Sequence, residues 1–223
     1  MLQNFLNFFL QSACPLCGRS TAGAFCPTCE KQLKACQFEN PTQFWQGQSP
    51  FFAWGAYRDG LKRAIAHLKY DNQPQLAHPL GQWLAQSWLK TDLSRSNVIV
   101  VPIPLHPDKQ QQRGFNQADL IAQSFCEFTG CPLRQGLERV RSTEAMFGLS
   151  ADQRATNLSQ AFDLGKQFRR DRPAHPVLLI DDIYTTGATI KAATQTLHRY
   201  GIRVRGVAVV AKPQLWKGMR DEG

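Results

Sequence analysis

An apolar strand pattern that ends in two acids and a hydroxyl-rich loop is the part of this sequence best suited to chemistry. Residues 177–181 read VLLID, Asp182 follows, and residues 185–189 read TTGAT. Such an apolar run is typical of a parallel strand buried on both faces, and open α/β sheets bind ligands at the carboxyl ends of their strands. Hydroxyls and unpaired N–H groups at a helix start bind anions. With carboxylates that can hold sugar hydroxyls or Mg²⁺, the pattern predicts a site for a phosphorylated ribose.

The whole stretch VLLIDDIYTTGAT, residues 177–189, resembles the phosphoribosyl-pyrophosphate (PRPP) motif of type I phosphoribosyltransferases. The resemblance implies that Asp181 and Asp182 are the catalytic acids, which hold the ribose 2′- and 3′-hydroxyls while Mg²⁺ accompanies PRPP. It also implies a 5′-phosphate loop composed of Thr185, Thr186, Gly187, Ala188 and Thr189.

Position 185 bears on the choice of acceptor base. In the 6-oxopurine enzymes of this class the equivalent residue is an Asp that accepts a proton from the base, whereas this chain has Thr185. Threonine cannot act as a general base near neutral pH unless it is itself activated. The residue therefore argues against a hypoxanthine–guanine type of salvage enzyme.

Four cysteines near the start of the chain have the spacing of a metal site. Cys14 and Cys17 form one C-x-x-C pair, Cys26 and Cys29 form a second, and Cys36 lies nearby as a spare that could replace one ligand. Four thiolates at this spacing can surround zinc in a closed tetrahedral site, which is structural because it leaves no open position. Neither pair follows a strand of a thioredoxin-like unit, which disfavours a redox role.

Composition restricts the class of protein and of partner. The 223 residues suffice for one ordinary core with a small appendage, and the net charge of +9 favours anionic partners such as phosphate ligands or nucleic acid. No apolar stretch is long enough for a membrane span. The opening residues 1–13 lack the basic start of a secretory signal and predict a short amphipathic helix. The cysteines then belong in a reducing cytoplasm.

The remaining pattern predicts the elements that must position these groups. Residues 1–40 are expected to form the cysteine module, 41–96 a linker followed by an aromatic and helical segment, and 97–223 an α/β domain. Within 41–96, the tryptophans at 83 and 88 are expected in the core, and Lys69 with Tyr70 on a solvated face. Strand–helix alternation from residue 98 onward predicts a parallel sheet flanked by helices.

Two arginine-bearing segments are candidates for phosphate contacts. Residues 109–116, KQQQRGFN, follow a proline-rich strand end and predict a basic loop before a helix. In phosphoribosyltransferases, which the chain resembles, the corresponding loop binds pyrophosphate, which implies Arg113 as its partner. A basic surface loop without a ligand is the alternative. Residues 134–162 contain Arg134, Arg139, Arg141 and Arg154 with few strand signals. This second segment suits either a mobile flap over a phosphorylated substrate or a plain solvated hairpin.

The layout as a whole resembles the ComF family of competence-associated, phosphoribosyltransferase-like proteins. Three features carry the resemblance: the four-cysteine cluster, RGFNQADLIA at residues 113–122, and the motif at 177–189. It implies a role in DNA uptake during natural transformation, with single-stranded DNA and the competence machinery as partners. Three hypotheses stay open: phosphoribosyl transfer from PRPP to an unknown base, single-stranded DNA binding on a retained fold, and a PRPP- or nucleotide-regulated factor without catalysis.

Overall fold

A four-stranded, fully parallel sheet lies at the centre of the fold. The computed structural model describes residues 12–47, 49–141 and 161–214. The strands, numbered in chain order, are β3 (Phe51–Ala56), β4 (Ile99–Pro102), β7 (Val177–Ile183) and β8 (Val204–Lys212). Their order across the sheet is β3-β8-β7-β4, so β7 is an inner strand with both neighbours parallel to it. The expected parallel sheet with flanking helices is confirmed.

The helices and two small antiparallel ribbons complete the described elements. The helices are α1 (Pro27–Lys34), α2 (Asp59–Tyr70), α3 (Ala77–Leu89), α4 (Pro107–Arg113), α5 (Gln117–Thr129), α6 (Lys166–Arg170) and α7 (Ala188–Arg199), with 3₁₀ turns at Pro74–Leu76 and Asp92–Arg95. One ribbon pairs β1 (Ser12–Ala13) with β2 (Ser20–Thr21), and the other pairs β5 (Leu137–Arg139) with β6 (Phe162–Leu164).

Alternation along β7 divides the core between the two faces of the sheet. Leu178 and Ile180 join one buried cluster, which includes apolar residues of α2, α3, α5 and the cysteine module. Val177 and Leu179 join a second cluster with residues of α7, β5, β6 and α6. Because successive strand residues point to opposite faces, Asp181 belongs to the face of Val177 and Leu179, and Asp182 belongs to the face of Leu178 and Ile180.

Several segments differ from their expected form. Strand β7 continues through Ile183, because the ladder to β8 extends as far as Ile183 and Ala211, so both acids lie inside the strand. The predicted loop after β4 contains helix α4, which begins with Pro107 at its first turn, a position where the missing N–H is harmless. Strand β3 pairs with β8, so segment 41–96 contributes an edge strand to the sheet, while the division at residue 96 stays a prediction.

Other expectations fall partly or wholly outside the described residues. The N-terminal amphipathic helix falls largely on residues 1–11, and Arg154 with most of the expected flap falls on 142–160, all outside the described ranges. The described ends of that flap form the β5–β6 ribbon.

Trp88 is buried as expected, and Trp83 packs against the core beside Trp54. In the described part of the chain, no helix combines the length and apolar character needed to cross a bilayer.

Candidate functional site

The two acids at the end of β7 lie in different surroundings. Asp182 is buried, with 4% of its side chain exposed, and its Oδ2 lies 2.7 Å from Nζ of Lys69 on α2. At this distance the ammonium group and the carboxylate form an ion pair. Burial opposes the charge on Lys69, yet the Asp182 carboxylate outweighs it and raises the pKa of Lys69.

Asp181 has no such cation in direct contact among the described residues. Its Oδ1 accepts a hydrogen bond from the backbone N–H of Asp182 at 2.8 Å. Removal from water and then the neighbouring Asp182 carboxylate raise the pKa of Asp181 well above its ordinary value, and Lys69 offsets only part of this. Two adjacent carboxylates with such different surroundings are typical of a functional site.

The hydroxyl loop leads directly into the N-terminus of α7. Thr185 and Thr186 are exposed, and Thr186 Oγ1 accepts a weak hydrogen bond from the N–H of Ala188 at 3.4 Å. Gly187 caps the helix with φ +76°, in the left-handed region that glycine adopts without strain. First-turn N–H groups have no partner inside a helix, so this end of α7 is suited to an anion.

A stack of three aromatic rings lies beside the hydroxyl loop of residues 185–189. The Tyr184 ring is stacked on Phe51 with centroids 4.1 Å apart, and Phe51 is stacked on Phe44 at 4.8 Å. The ammonium group of Lys212, at the end of β8, lies 5.6–5.9 Å from the centroids of all three rings. The stack therefore links the first residue of β3 to Tyr184 and Lys212 at the carboxyl ends of β7 and β8.

Arg113 approaches the acid pair indirectly, through the end of α2. Its guanidinium lies 5.4 Å from the ring centroid of Tyr70, and its Nη1 donates to Oε1 of Gln117 at 2.9 Å. Tyr70 directly follows Lys69, so one dipeptide contacts both Asp182 and Arg113. The expectation of a solvated face is right for the ring of Tyr70, which is 74% exposed, and wrong for Lys69. Helical spacing alone could not distinguish Lys69 from Tyr70. The burial of Lys69 comes from its contact with Asp182, which is distant in sequence.

The four cysteines converge on one point. The ligand atoms of Cys14, Cys17, Cys26 and Cys29 all lie within 4.8 Å of one another, and Cys17 Sγ is 3.5 Å from Cys26 Sγ. A tetrahedral zinc with Zn–S bonds of about 2.3 Å has sulfurs about 3.8 Å apart, so this donor set fits such an ion. The N–H groups of Cys17 and Gly18 both donate to the carbonyl of Cys14, which forms a tight turn.

Thiol acidity in the cluster is uneven. Burial raises the pKa of Cys29 to about 12, assisted by the thiols of Cys17, Cys26 and Cys14. For Cys14 burial acts in the same direction, but hydrogen bonds from Cys26, Leu16 and Cys17 prevail and lower the pKa to about 7. Four adjacent thiols cannot all ionise without a cation between them, so a bound metal ion would remove this imbalance.

Cys36 lies outside the cluster. Its thiol donates to the carbonyl oxygens of Gln32 and Arg58 at 3.4 and 3.5 Å, at the junction of α1 and α2. The module itself is built into the core, since Phe25 contacts the Trp83 ring of α3 with centroids 5.6 Å apart. The cysteine module is therefore a part of the same packed body as α2 and α3.

Comparison with known proteins agrees with this architecture. The phosphoribosyl transferase domain family matches residues 69–221, which include Lys69, the acid pair and the hydroxyl loop. Competence protein F of Haemophilus influenzae is 28% identical over 90% of this chain and 95% of its own length. The chain belongs to the ComF family. It combines the type I phosphoribosyltransferase fold with an N-terminal cluster of four cysteines that could hold a metal ion.

Other ComF relatives carry two kinds of name. The DNA utilization protein YhgH of Salmonella typhimurium is 31% identical over 85% of this chain and 79% of its own length. Competence protein ComFC of Bacillus subtilis is 25% identical over 84% of this chain and 72% of its own. Among solved structures, a glutamine PRPP amidotransferase from B. subtilis aligns with a TM-score of 0.41 and 15% identity, over 66% of this chain and 30% of that one.

Proposed function

We propose that this protein binds Mg²⁺-PRPP and acts in the handling of incoming DNA. The observation that carries the proposal is the acid pair at the end of β7 followed by the glycine-capped N-terminus of α7. In this arrangement Asp181 and Asp182 accept hydrogen bonds from the ribose hydroxyls, while Thr185 to Thr189 surround the 5′-phosphate. Arg113, whose guanidinium group packs on the Tyr70 ring, faces the pyrophosphate.

Each group has a physical task in holding this ligand. The exposed hydroxyls of Thr185 and Thr186 and the first N–H groups of α7 donate to phosphate oxygens, and the helix dipole favours the negative charge. Carboxylates accept hydrogen bonds from ribose hydroxyls. Mg²⁺, whose ligands at such sites include the phosphates of the substrate itself, would neutralise pyrophosphate charge as it leaves.

Whether transfer to a base follows is a separate part of the proposal. Thr185 supplies no general base unless it is activated. We therefore place PRPP binding first and phosphoribosyl transfer to an unknown acceptor second. A regulatory role for PRPP, in which binding alters DNA or partner affinity without turnover, is consistent with the same residues.

The association with DNA is supported by the relatives and by charge. Relatives that cover most of this chain are named for competence or for DNA utilization. The net charge of +9 favours an anionic partner such as single-stranded DNA. Binding to a single-stranded oligonucleotide should weaken steeply between low and physiological salt, because phosphate contacts release counterions. Salt-independent binding, or none, would remove this part of the proposal.

We also propose that Cys14, Cys17, Cys26 and Cys29 bind a structural Zn²⁺. The closed donor set of four thiols is typical of zinc sites that stabilise a fold.

The decisive experiment is calorimetric titration of Mg²⁺-PRPP into the wild type and an Asp181→Asn/Asp182→Asn variant. We expect binding by the wild type and none by the variant, with circular dichroism of both unchanged. The conservative substitutions keep the size of each side chain, so a loss of binding would report on the carboxylates. A well-folded wild type that does not bind Mg²⁺-PRPP would contradict the ligand assignment.

A further inference from the structure

Lys69 is a lysine in an unusual position. It lies in the last turn of α2, and only 18% of its side chain is exposed, although a lysine at a helix end normally reaches solvent. Its Nζ is 2.7 Å from Oδ2 of Asp182, across 113 residues of sequence. In the ion pairs of the described residues, Asp182 has no other cationic partner.

The contact is hard to explain by stability alone. A buried ion pair loses the hydration of both charges, and apolar residues of similar volume are often as stable in its place. The rest of the buried face of α2, formed by Leu61, Ala64, Ile65 and Leu68, is apolar. One cation among these residues, set against an acid at the ligand end of the sheet, indicates a task at the site.

The alternation of side chains along β7 indicates which of the two acids Lys69 holds. Asp182 follows Leu178 and Ile180, whose side chains share a buried cluster with apolar residues of α2, while Asp181 belongs to the opposite face of β7. Lys69 therefore holds the Asp182 carboxylate from the side of α2 and offsets its negative charge. Two uncompensated carboxylates would repel an entering pyrophosphate, and their repulsion would be strong at this degree of burial.

The same end of α2 also contacts the second part of the site. The Tyr70 ring lies beneath the Arg113 guanidinium at 5.4 Å. Lys69 and Tyr70 thus connect the acids of β7 with the arginine proposed for pyrophosphate. A change in the last turn of α2 would alter both.

We propose that Lys69 is a positioning residue of the PRPP site: it fixes the Asp182 carboxylate and supplies a resident positive charge before the anionic ligand enters. This inference rests on the proposed function, since it assigns Lys69 a role in binding that same ligand. It adds to the acids and the hydroxyl loop a residue from outside the phosphate-binding motif.

The test compares Mg²⁺-PRPP affinity in four proteins by calorimetry. Lys69→Met removes the charge and should weaken binding about tenfold or more, a typical coupling for groups in one network. Lys69→Arg keeps the charge and should recover a large part of the loss. Lys62→Met is the matched control, because Lys62 is an exposed residue of the same helix, and its affinity should equal that of the wild type.

The outcomes separate this inference from the proposed function. No binding by the wild type would overturn the proposed function. Wild-type binding with equal or tighter binding by folded Lys69→Met would overturn the inference about Lys69 alone. If Lys69 only stabilised the fold, Lys69→Met would have a lower melting temperature than the wild type, but the folded variant would bind Mg²⁺-PRPP with unchanged affinity. If Lys69→Met does not fold, Lys69→Gln, which retains a hydrogen-bond donor, takes its place with the same expected loss.

Discussion

The Tyr184 side chain occupies the space that a Cβ at Gly187 would need. A Cβ built at residue 187 would lie 2.3 Å from the Tyr184 hydroxyl oxygen, well inside van der Waals contact. The Tyr184 ring is also stacked on Phe51, a contact that any shift away from residue 187 would disturb. The backbone of the phosphate loop is therefore held close to a fixed aromatic ring.

Gly187→Ala should destabilise the protein and weaken PRPP binding together. Alanine at φ +76° costs about 1–2 kcal/mol from the left-handed backbone alone, and the collision with Tyr184 adds to it. Gly201→Ala is the control, since Gly201 has φ +72° but no atom within 4 Å of a built Cβ. Chemical denaturation should show the larger loss for Gly187→Ala, and calorimetry should show reduced affinity for it alone. Equal effects of both substitutions would exclude a role for the Tyr184 contact.

Asp181→Asn should stabilise the folded protein near neutral pH while it abolishes ligand binding. The folded pKa of Asp181 lies above its unfolded value, so the folded state holds more protons between the two values and stability falls as pH rises through that window. A neutral Asn avoids this penalty, and its Oδ1 can still accept from the Asp182 N–H.

Thermal unfolding at several pH values tests this prediction. The gain of Asp181→Asn should grow as the pH rises above 3.8, the ordinary Asp value, and should vanish as the pH falls toward it. Asp92→Asn, at a side chain 87% exposed, should change the melting temperature little throughout. A gain that is independent of pH would show that ionisation of Asp181 is not its cause.

Metal content should distinguish Cys29 from Cys36. Cys29→Ser removes one of the four clustered ligands, so the purified protein should lose its zinc, whereas Cys36→Ser should retain one equivalent. Both thiols are buried, which makes the second variant a control for a general packing defect. Zinc measured by plasma mass spectrometry would settle the ligand set, and zinc retained by Cys29→Ser with loss from Cys36→Ser would reverse the assignment.

Zinc affinity should rise with pH. The pKa of Cys29 is raised to about 12 without a metal, so zinc must displace a proton from this thiol to bind. Competition with a chromophoric chelator should therefore show tighter binding at pH 8 than at pH 6. Removal of the metal should also weaken α2, because the module shares its core. Affinity that does not change with pH would contradict thiolate ligation.

Arg113→Ala should weaken binding of PRPP but not that of ribose 5-phosphate. The second ligand lacks the pyrophosphate for which Arg113 is proposed, so it provides the control within one variant. Thr186→Val, which removes a hydroxyl of the 5′-phosphate loop, should weaken both ligands. Calorimetry with the two ligands would refute the proposed division if Arg113→Ala lowered both affinities equally.

Local pattern was sufficient for much of the fold. The apolar run of β7 and the strand–helix alternation after residue 98 are properties of short segments, and both appear where the sequence predicts them. Each C-x-x-C pair likewise closes its own turn, and the short β1–β2 ribbon brings the two pairs together. Prediction was weaker for α4, where three prolines suggested a rigid loop, and for the pairing of β3 with β8, whose segments lie far apart in sequence.

The sequence by itself determined the acids, the hydroxyl loop and the four thiols, since each lies within a contiguous motif whose spacing matters locally. Only the tertiary structure decided the partners of those groups. Lys69 reaches Asp182 because the last turn of α2 lies beside the carboxyl end of β7, and the ring of Tyr184, next to Gly187, stacks on Phe51 of β3. These contacts depend on how distant segments pack, and packing is set by the shape and burial of the whole core, which no local period encodes.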